Sequence, residues 1–211
     1  ARALADTVVT TIFVNPLQFG PGEDFERYPR DLERDRMVAG DAGTDVLFAP
    51  AAQEMVPPGF KTSVDVEGVS TVLEGAFRPG HFRGVATIVM KLLHLTKPHA
   101  AVFGQKDAQQ IFIVQTMVKD LNLDVEIITV PTVREQDGLA MSSRNVYLTP
   151  DERERAVAIW RTLRHAEQRV REGVRSADIL RSELEAVLVE GRPTRIDYVA
   201  LVRPDTFEEC F

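Results

Sequence analysis

The 211 residues, 44% of them apolar, suffice for one large domain or for a medium domain with a small companion, and they can bury a sizeable core. With 25 basic and 32 acidic side chains the formal net charge is -7, which argues against a general nucleic-acid or anionic-membrane surface but leaves room for a local basic pocket. The single cysteine, Cys210, cannot form an internal disulfide, no apolar run approaches the roughly 20 residues needed to span a bilayer, and no signal-peptide pattern occurs, so a cytoplasmic protein is expected.

The chain opens on ARALADTVVTTIFV, enters a strand almost at once, and stops at EECF just after a strand-like run; we expect it to be a piece of a longer protein. Thr7 to Val14 is β-branched and continuous, which predicts an interior parallel strand closed by Asn15-Pro16. Asn15 and Gln18 then stand at a strand's carboxyl end, where they serve either as turn residues or as donors and acceptors for a small hydroxyl- or carboxylate-bearing ligand. Arg30 to Ala42 predicts a charged helix with Leu32, Met37 and Val38 facing inward, followed by a short strand at Asp45 to Phe48 and a further one at Lys61 to Val66. This strand, helix, strand rhythm is that of a parallel sheet.

Val69 to Thr87 gathers Arg78, His81 and Arg83 among Gly75, Gly80 and Gly84, a composition that predicts a loop holding charge over a polyanion, although P-loop spacing is absent. His81 alone reads more readily as a surface or structural histidine, but in the company of Arg78 and Arg83 the balance moves to a functional role. The four histidines lie in different elements without zinc-ligand spacing, so no metal site is expected. Val85 to Leu95 has helical periodicity, with a core stripe at Val85, Ile88, Val89, Leu92 and Leu93. Strand Ala100 to Phe103 then delivers the chain to FGQKDAQQ, Phe103 to Gln110, the start of a helix reaching about Leu121. At such a junction Gly104 lets the backbone approach a ligand, and Lys106 and Asp107 face either solvent, as an ordinary charged helix start, or a phosphate or carboxylate. Gln110 lies one turn on from Asp107.

After a strand at Asp124 to Val130, the stretch TVREQDGLAMSSRN, Thr132 to Asn145, offers Ser142, Ser143 and Arg144 as phosphate donors, or as a polar turn before a new domain. Thr149, Pro150 and Glu152 spell a capping box, opening helices at about Pro150 to Arg171 and Ser176 to Leu188. Their predicted apolar stripes include Ile159, Trp160, Leu163, Val170 and Ile179, and Arg195 to Val202 alternates as a half-buried strand. The change of rhythm places a domain boundary near Pro131, giving an α/β, Rossmann-like domain over 1–131 and a smaller α+β domain over 132–211. No covalent nucleophile stands out, so transfer between bound partners is the economical chemistry, with one small polar substrate and one nucleotide.

Five stretches in order, IFVNPLQF, YPR, LEGAFRPGHFRGVAT, VFGQKDAQQ and PTVREQDGLAMSSRNVYL, make the chain resemble the pantothenate synthetase (pantoate beta-alanine ligase) family over essentially its whole length. One departure is Gln105, which stands where the family usually has an acidic residue. The resemblance implies an adenylate-forming ligase: pantoate and MgATP give pantoyl adenylate and pyrophosphate, and β-alanine then gives pantothenate and AMP. It further implies Gln18 and Gln110 as pantoate contacts, with Asn15 shaping the pocket and Arg78 and His81 contacting substrate or ordering the site. Gly104, Lys106, Asp107, Val133, Met141, Ser142, Ser143 and Arg144 would serve the nucleotide, with Lys106, His81, Ser142, Ser143 and Arg144 catalytic. A homodimer is expected from the same source. The family's first strand and a histidine-bearing nucleotide motif should precede Ala1, that strand lying between those at Thr7 and Ala100. These 211 residues alone are therefore expected to be poorly folded or inactive. Two rival readings are another adenylyl transferase of the same fold and a non-catalytic nucleotide-binding module.

Overall fold

The computed structural model describes residues 1–211, which divide into two compact units, Ala1–Val130 and Pro131–Phe211. In the first unit the strands are parallel, as expected of an α/β fold. Strand β1 (Val9–Thr11) pairs with β2 (Val46–Phe48), Val9 opposite Val46, across helix α1 (Leu32–Asp41). The chain then passes through the short helices α2 (Ala52–Met55) and α3 (Glu74–Phe77) to the long helix α4 (His81–Thr96). Strand β3 (Ala100–Gly104) pairs with β4 (Glu126–Val130), Ala100 opposite Glu126, across helix α5 (Ala108–Asp120).

The pairs form two separate two-stranded sheets, so Thr7 to Val14 does not lie between strands as predicted; Val9 is 40% exposed. A two-stranded ladder is marginal by itself, and cohesion comes from the helices. Phe82, Val85, Ala86 and Leu93 of α4 pack with Ile113, Val114 and Met117 of α5 and with Val66. Each large apolar side chain fully buried there contributes about 1.5–3 kcal/mol.

Three expectations for this unit fail for local reasons. Leu32, Met37 and Val38 of α1 are exposed, and only Ala39 is buried, because the helix turns its small residue inward. Lys61 to Val66 forms no strand: the Val64 N–H goes to Thr87 Oγ1 at 2.9 Å and Arg83 holds Ser63 Oγ, so this segment binds side chains of α4 in place of a neighbouring strand. The stretch Val69 to Thr87 is not a loop throughout, since α4 starts at His81 and buries His81 and Phe82.

The second unit contains helices α6 (Pro150–Ala156), α7 (Ala158–Arg171) and α8 (Ala177–Glu190). The predicted capping box is present: Thr149 Oγ1 accepts from the Glu152 N–H at 3.3 Å, and the Glu152 carboxylate accepts from the Thr149 N–H at 2.9 Å. The predicted continuous helix breaks at Val157. The predicted stripe is partly outward, with Ile159, Leu163, Val170 and Ile179 exposed, while Ala158, Thr162, Ala177, Leu180 and Leu184 are buried. Arg195 to Val202 makes only an isolated bridge, Val202 to Glu209, and no strand, because Leu201 and Arg203 bond to residues close behind them in the chain. Trp160 is a packing residue: the Arg134 guanidinium lies 4.1 Å from its ring centroid. Gly138, at φ +95°, leaves room for that ring, since a Cβ there would come within 1.8 Å of it.

Candidate active site

The loop after β1 is built so that Asn15 is consumed internally. Asn15 is 4% exposed, and its Oδ1 accepts from the Leu17 N–H at 3.0 Å. Its Nδ2 donates to the Gly84 carbonyl and to Gln18 Oε1, each at 3.0 Å. The loop can lie this close to α4 only because residue 84 is glycine: a Cβ there would meet the Leu17 carbonyl oxygen at 2.2 Å. Gln18, half-buried, therefore has its amide oxygen turned to Asn15 and its Nε2 as the group suited to a ligand oxygen. An edge-to-face pair, Phe19 with Phe25 at 5.2 Å, packs the next part of the loop.

Arg78 and His81 meet this loop at the start of α4. Arg78 Nε donates to Glu23 Oε1 at 3.0 Å and Nη2 donates to the other Glu23 oxygen, while Nη1 donates to Glu74 Oε1 at 2.9 Å. The Gln18 carbonyl accepts from His81 Nδ1 at 2.8 Å and from Arg78 Nη2 at 3.3 Å. A carbonyl only accepts and a guanidinium only donates, so His81 carries its proton on Nδ1 and receives Arg78 Nη1 on Nε2 at 3.3 Å. Burial, opposed in part by the bond to Gln18, pushes His81 below its usual range, in agreement with a neutral ring. The 3.7 Å approach of Glu74 to this ring is therefore not an ion pair. Hydrogen bonds from Arg78 hold the Glu23 carboxyl below its usual range. Burial opposes the Arg78 charge, but the bonds to Glu23 and Glu74 outweigh it and keep that group above its ordinary range.

At the carboxyl end of β3, Gly104 has open space on its Cβ side, and Lys106 and Asp107 are exposed and paired at 2.9 Å. Such a pair is worth about 0–1 kcal/mol, so Lys106 can exchange it for a phosphate. Gln110 is half-buried at the start of α5, beside Gln109, which is 5% exposed. Gln109 was passed over by sequence reasoning. Its Nε2 donates to the Val69 and Val72 carbonyls at 2.8 and 2.9 Å and its Oε1 accepts from the Glu74 N–H at 3.2 Å, tying α5 to the segment that carries Arg78. A polar residue at 109, in register with Ile113 and Met117, was the signal that could have found it. Glu23 was missed as well, for it reads as one charge among many.

In the second unit, Ser142 caps the 3-10 turn Ser143–Tyr147, its Oγ accepting from the Arg144 N–H at 3.2 Å. Val133 and Met141 are exposed at 65% and 57%. The structure thus brings Asn15, Gln18, Arg78 and His81 together, sets Gly104, Lys106, Asp107 and Gln110 around one strand end, and gathers Met141 to Arg144 on one turn. Two clefts of about 530 and 320 Å³, one lined by Leu32, Arg36 and Thr44 and the other by His94, Lys97 and His99, contain none of these residues. No group of three or more His, Cys, Asp or Glu side chains could hold a metal ion, and no helix is long and apolar enough to cross a membrane.

The family model described as pantoate-beta-alanine ligase matches residues 1–210. A pantothenate synthetase of Acetivibrio thermocellus is 56% identical over 208 residues, covering 99% of this chain and 74% of the relative, and one of Moorella thermoacetica is 54% identical over the same shares. Among solved structures, pantothenate synthetase from Thermus thermophilus superposes with TM-score 0.95 at 50% identity, over 99% of this chain and 76% of that one. A pantoate-beta-alanine ligase from Francisella tularensis, complexed with beta-gamma ATP and beta-alanine, matches with TM-score 0.74 at 34% identity, over 89% of this chain and 70% of that one.

Proposed function

From the premise that the chain belongs to the pantoate-beta-alanine ligase family, we infer that it serves the ATP-dependent condensation of pantoate with β-alanine to pantothenate. The observation that supports this reading is the hydrogen bond from Asn15 Nδ2 to Gln18 Oε1 after β1, which leaves the Gln18 Nε2 group to serve as donor to a substrate oxygen. Gln18 and Gln110 hold pantoate. Lys106, Ser142, Ser143 and Arg144 serve the phosphates, Gly104 and Asp107 contact the nucleotide, and Val133 and Met141 line its pocket.

In the first step the pantoate carboxylate attacks the α-phosphorus of ATP and pyrophosphate leaves. In the second the β-alanine amine attacks the acyl carbon of pantoyl adenylate and AMP leaves. Lys106 and Arg144 compensate the charge that grows on the departing pyrophosphate. Closure of the Met141 to Arg144 turn would keep water from the acyl adenylate. Magnesium would enter with ATP, held largely by the nucleotide's phosphates. A cytoplasmic homodimer completes the proposal, and sedimentation at the 23.6 kDa monomer mass alone would overturn its dimeric part.

The reading assigns His81 a different weight from that given by the sequence: its Nδ1 is committed to the Gln18 carbonyl, so it orders the site. We also propose that these 211 residues by themselves turn over slowly, since the first unit holds only two separate two-stranded sheets. Function is therefore best assayed in a chimera in which the 211 residues replace the corresponding stretch of the Thermus thermophilus relative. Pyrophosphate should exchange into ATP only when pantoate is added, and Lys106→Ala should slow that exchange by about 10²-fold or more. Exchange without pantoate, or undiminished in the Lys106→Ala protein, would refute the assignment.

A further inference from the structure

We propose that Glu23 is a positioning residue for substrate: through Arg78 it fixes His81, and the two side chains together clamp the main-chain carbonyl of Gln18, so that an ion pair sets the direction of the Gln18 amide. The proposal rests on the reading that Gln18 contacts pantoate.

The geometry is that of a forked clamp. Glu23 follows Gly22, whose φ of +83° turns the chain back, and its N–H closes that turn on the Gly20 carbonyl at 3.1 Å. Its two carboxylate oxygens take Nε and Nη2 of Arg78, a two-pronged match that fixes orientation as well as distance. The same Nη2 also donates to the Gln18 carbonyl, and Nη1 donates to His81 Nε2, whose ring sends its Nδ1 proton to that same carbonyl. One guanidinium thus touches the Gln18 carbonyl directly and sets the imidazole that touches it a second time.

These bonds join residues 55 to 63 positions apart, so they hold the loop after β1 against the start of α4. The clamp is not fully exposed: the Arg78 and Glu23 side chains are 23% and 27% accessible. A second anion makes Glu23 decisive. Glu74, on Arg78's own side of the contact, takes Nη1 at 2.9 Å. Without the Glu23 charge, Arg78 is pulled toward Glu74 alone, and the Gln18 carbonyl loses its second donor.

The experiment compares Glu23→Gln with the parent sequence in two settings. In the chimera, the KM for pantoate should rise by about tenfold or more, while the KM for ATP stays within about twofold. A variant that merely folds less well lowers the amount of active protein and leaves both KM values alone. In the 211-residue chain by itself, Glu23→Gln should quicken amide exchange of Leu17 and Phe19 by about tenfold, with Ile113 and Val114 unchanged. An unchanged pantoate KM, an equal rise in both KM values, or unaltered exchange at Leu17 and Phe19 would overturn the proposal. If the parent chimera itself fails to use pantoate, it is the assignment of Gln18 to pantoate that falls; the exchange experiment still reads the clamp.

Discussion

The Asn15 side chain makes three hydrogen bonds within the chain, one of which fixes the amide oxygen of its neighbour Gln18. Replacing Asn15 with Ala should remove the bond to the Gly84 carbonyl and leave the Leu17 N–H without its side-chain acceptor, lower stability by about 1–3 kcal/mol in chemical unfolding, and raise the KM for pantoate. His81 supplies a pH test at the same scale. Its ring faces Arg78, Glu74 and, further off, Glu23, and its folded pKa lies below the usual 6.5. Above pH 6.5 the ring is neutral whether the chain is folded or not. Below it the unfolded chain binds a proton that the folded one refuses, so stability falls as pH drops. Glu23, also lowered, adds a loss only below its usual 4.5. Unfolding of the His81→Asn protein, whose amide can replace the Nδ1 donor without titrating, should show a flatter dependence between about pH 5 and 6.5; an unchanged slope would exclude His81 as its source. The sequence marked Gln18, His81 and Lys106 through their company at strand ends and glycine-rich turns. It could not show that Asn15 and Glu23 face inward, because the groups that engage them lie 69 and 55 residues away.

At the scale of elements, the contact between the loop after β1 and α4 depends on one missing side chain. Gly84→Ala would place a Cβ 2.2 Å from the Leu17 carbonyl oxygen and 2.7 Å from the Gln18 nitrogen, both main-chain atoms that cannot rotate away. We expect a loss of about 1–3 kcal/mol together with weaker pantoate binding, seen by thermal unfolding and calorimetry; a variant with normal affinity would show that the loop's seat on α4 is dispensable. Helix starts and the order of elements were legible, as at Thr149 and at the run from β3 into α5, because caps, turns and periodicity are local signals. What failed were inferences about cover. Apolar runs at Thr7 to Val14, Met37 and Val38, and Ile159 to Leu163 signal that something should bury them, but not what does. Likewise the alternation at Arg195 to Val202 needs a neighbouring strand that is not there.

For the whole molecule, the two units divide the proposed work: the first carries Gln18, Gln110, Lys106 and Asp107, and the second carries Met141 to Arg144. The α/β architecture with parallel strands was legible, because five ordered motifs constrain a fold far more tightly than composition does. The splitting of the strands into two pairs falls where the family resemblance expects a further strand between those at Thr7 and Ala100; periodicity alone does not give it, since pairing is a property of neighbours in space. The most direct test of the account is to supply the chimera with ATP, magnesium, pantoate and β-alanine and to quantify every product. Pantothenate and AMP should form in equal amounts, only when both pantoate and β-alanine are present, with far less from the 211 residues alone. A folded chimera that makes no pantothenate, or that forms it with ADP in place of AMP, would contradict it.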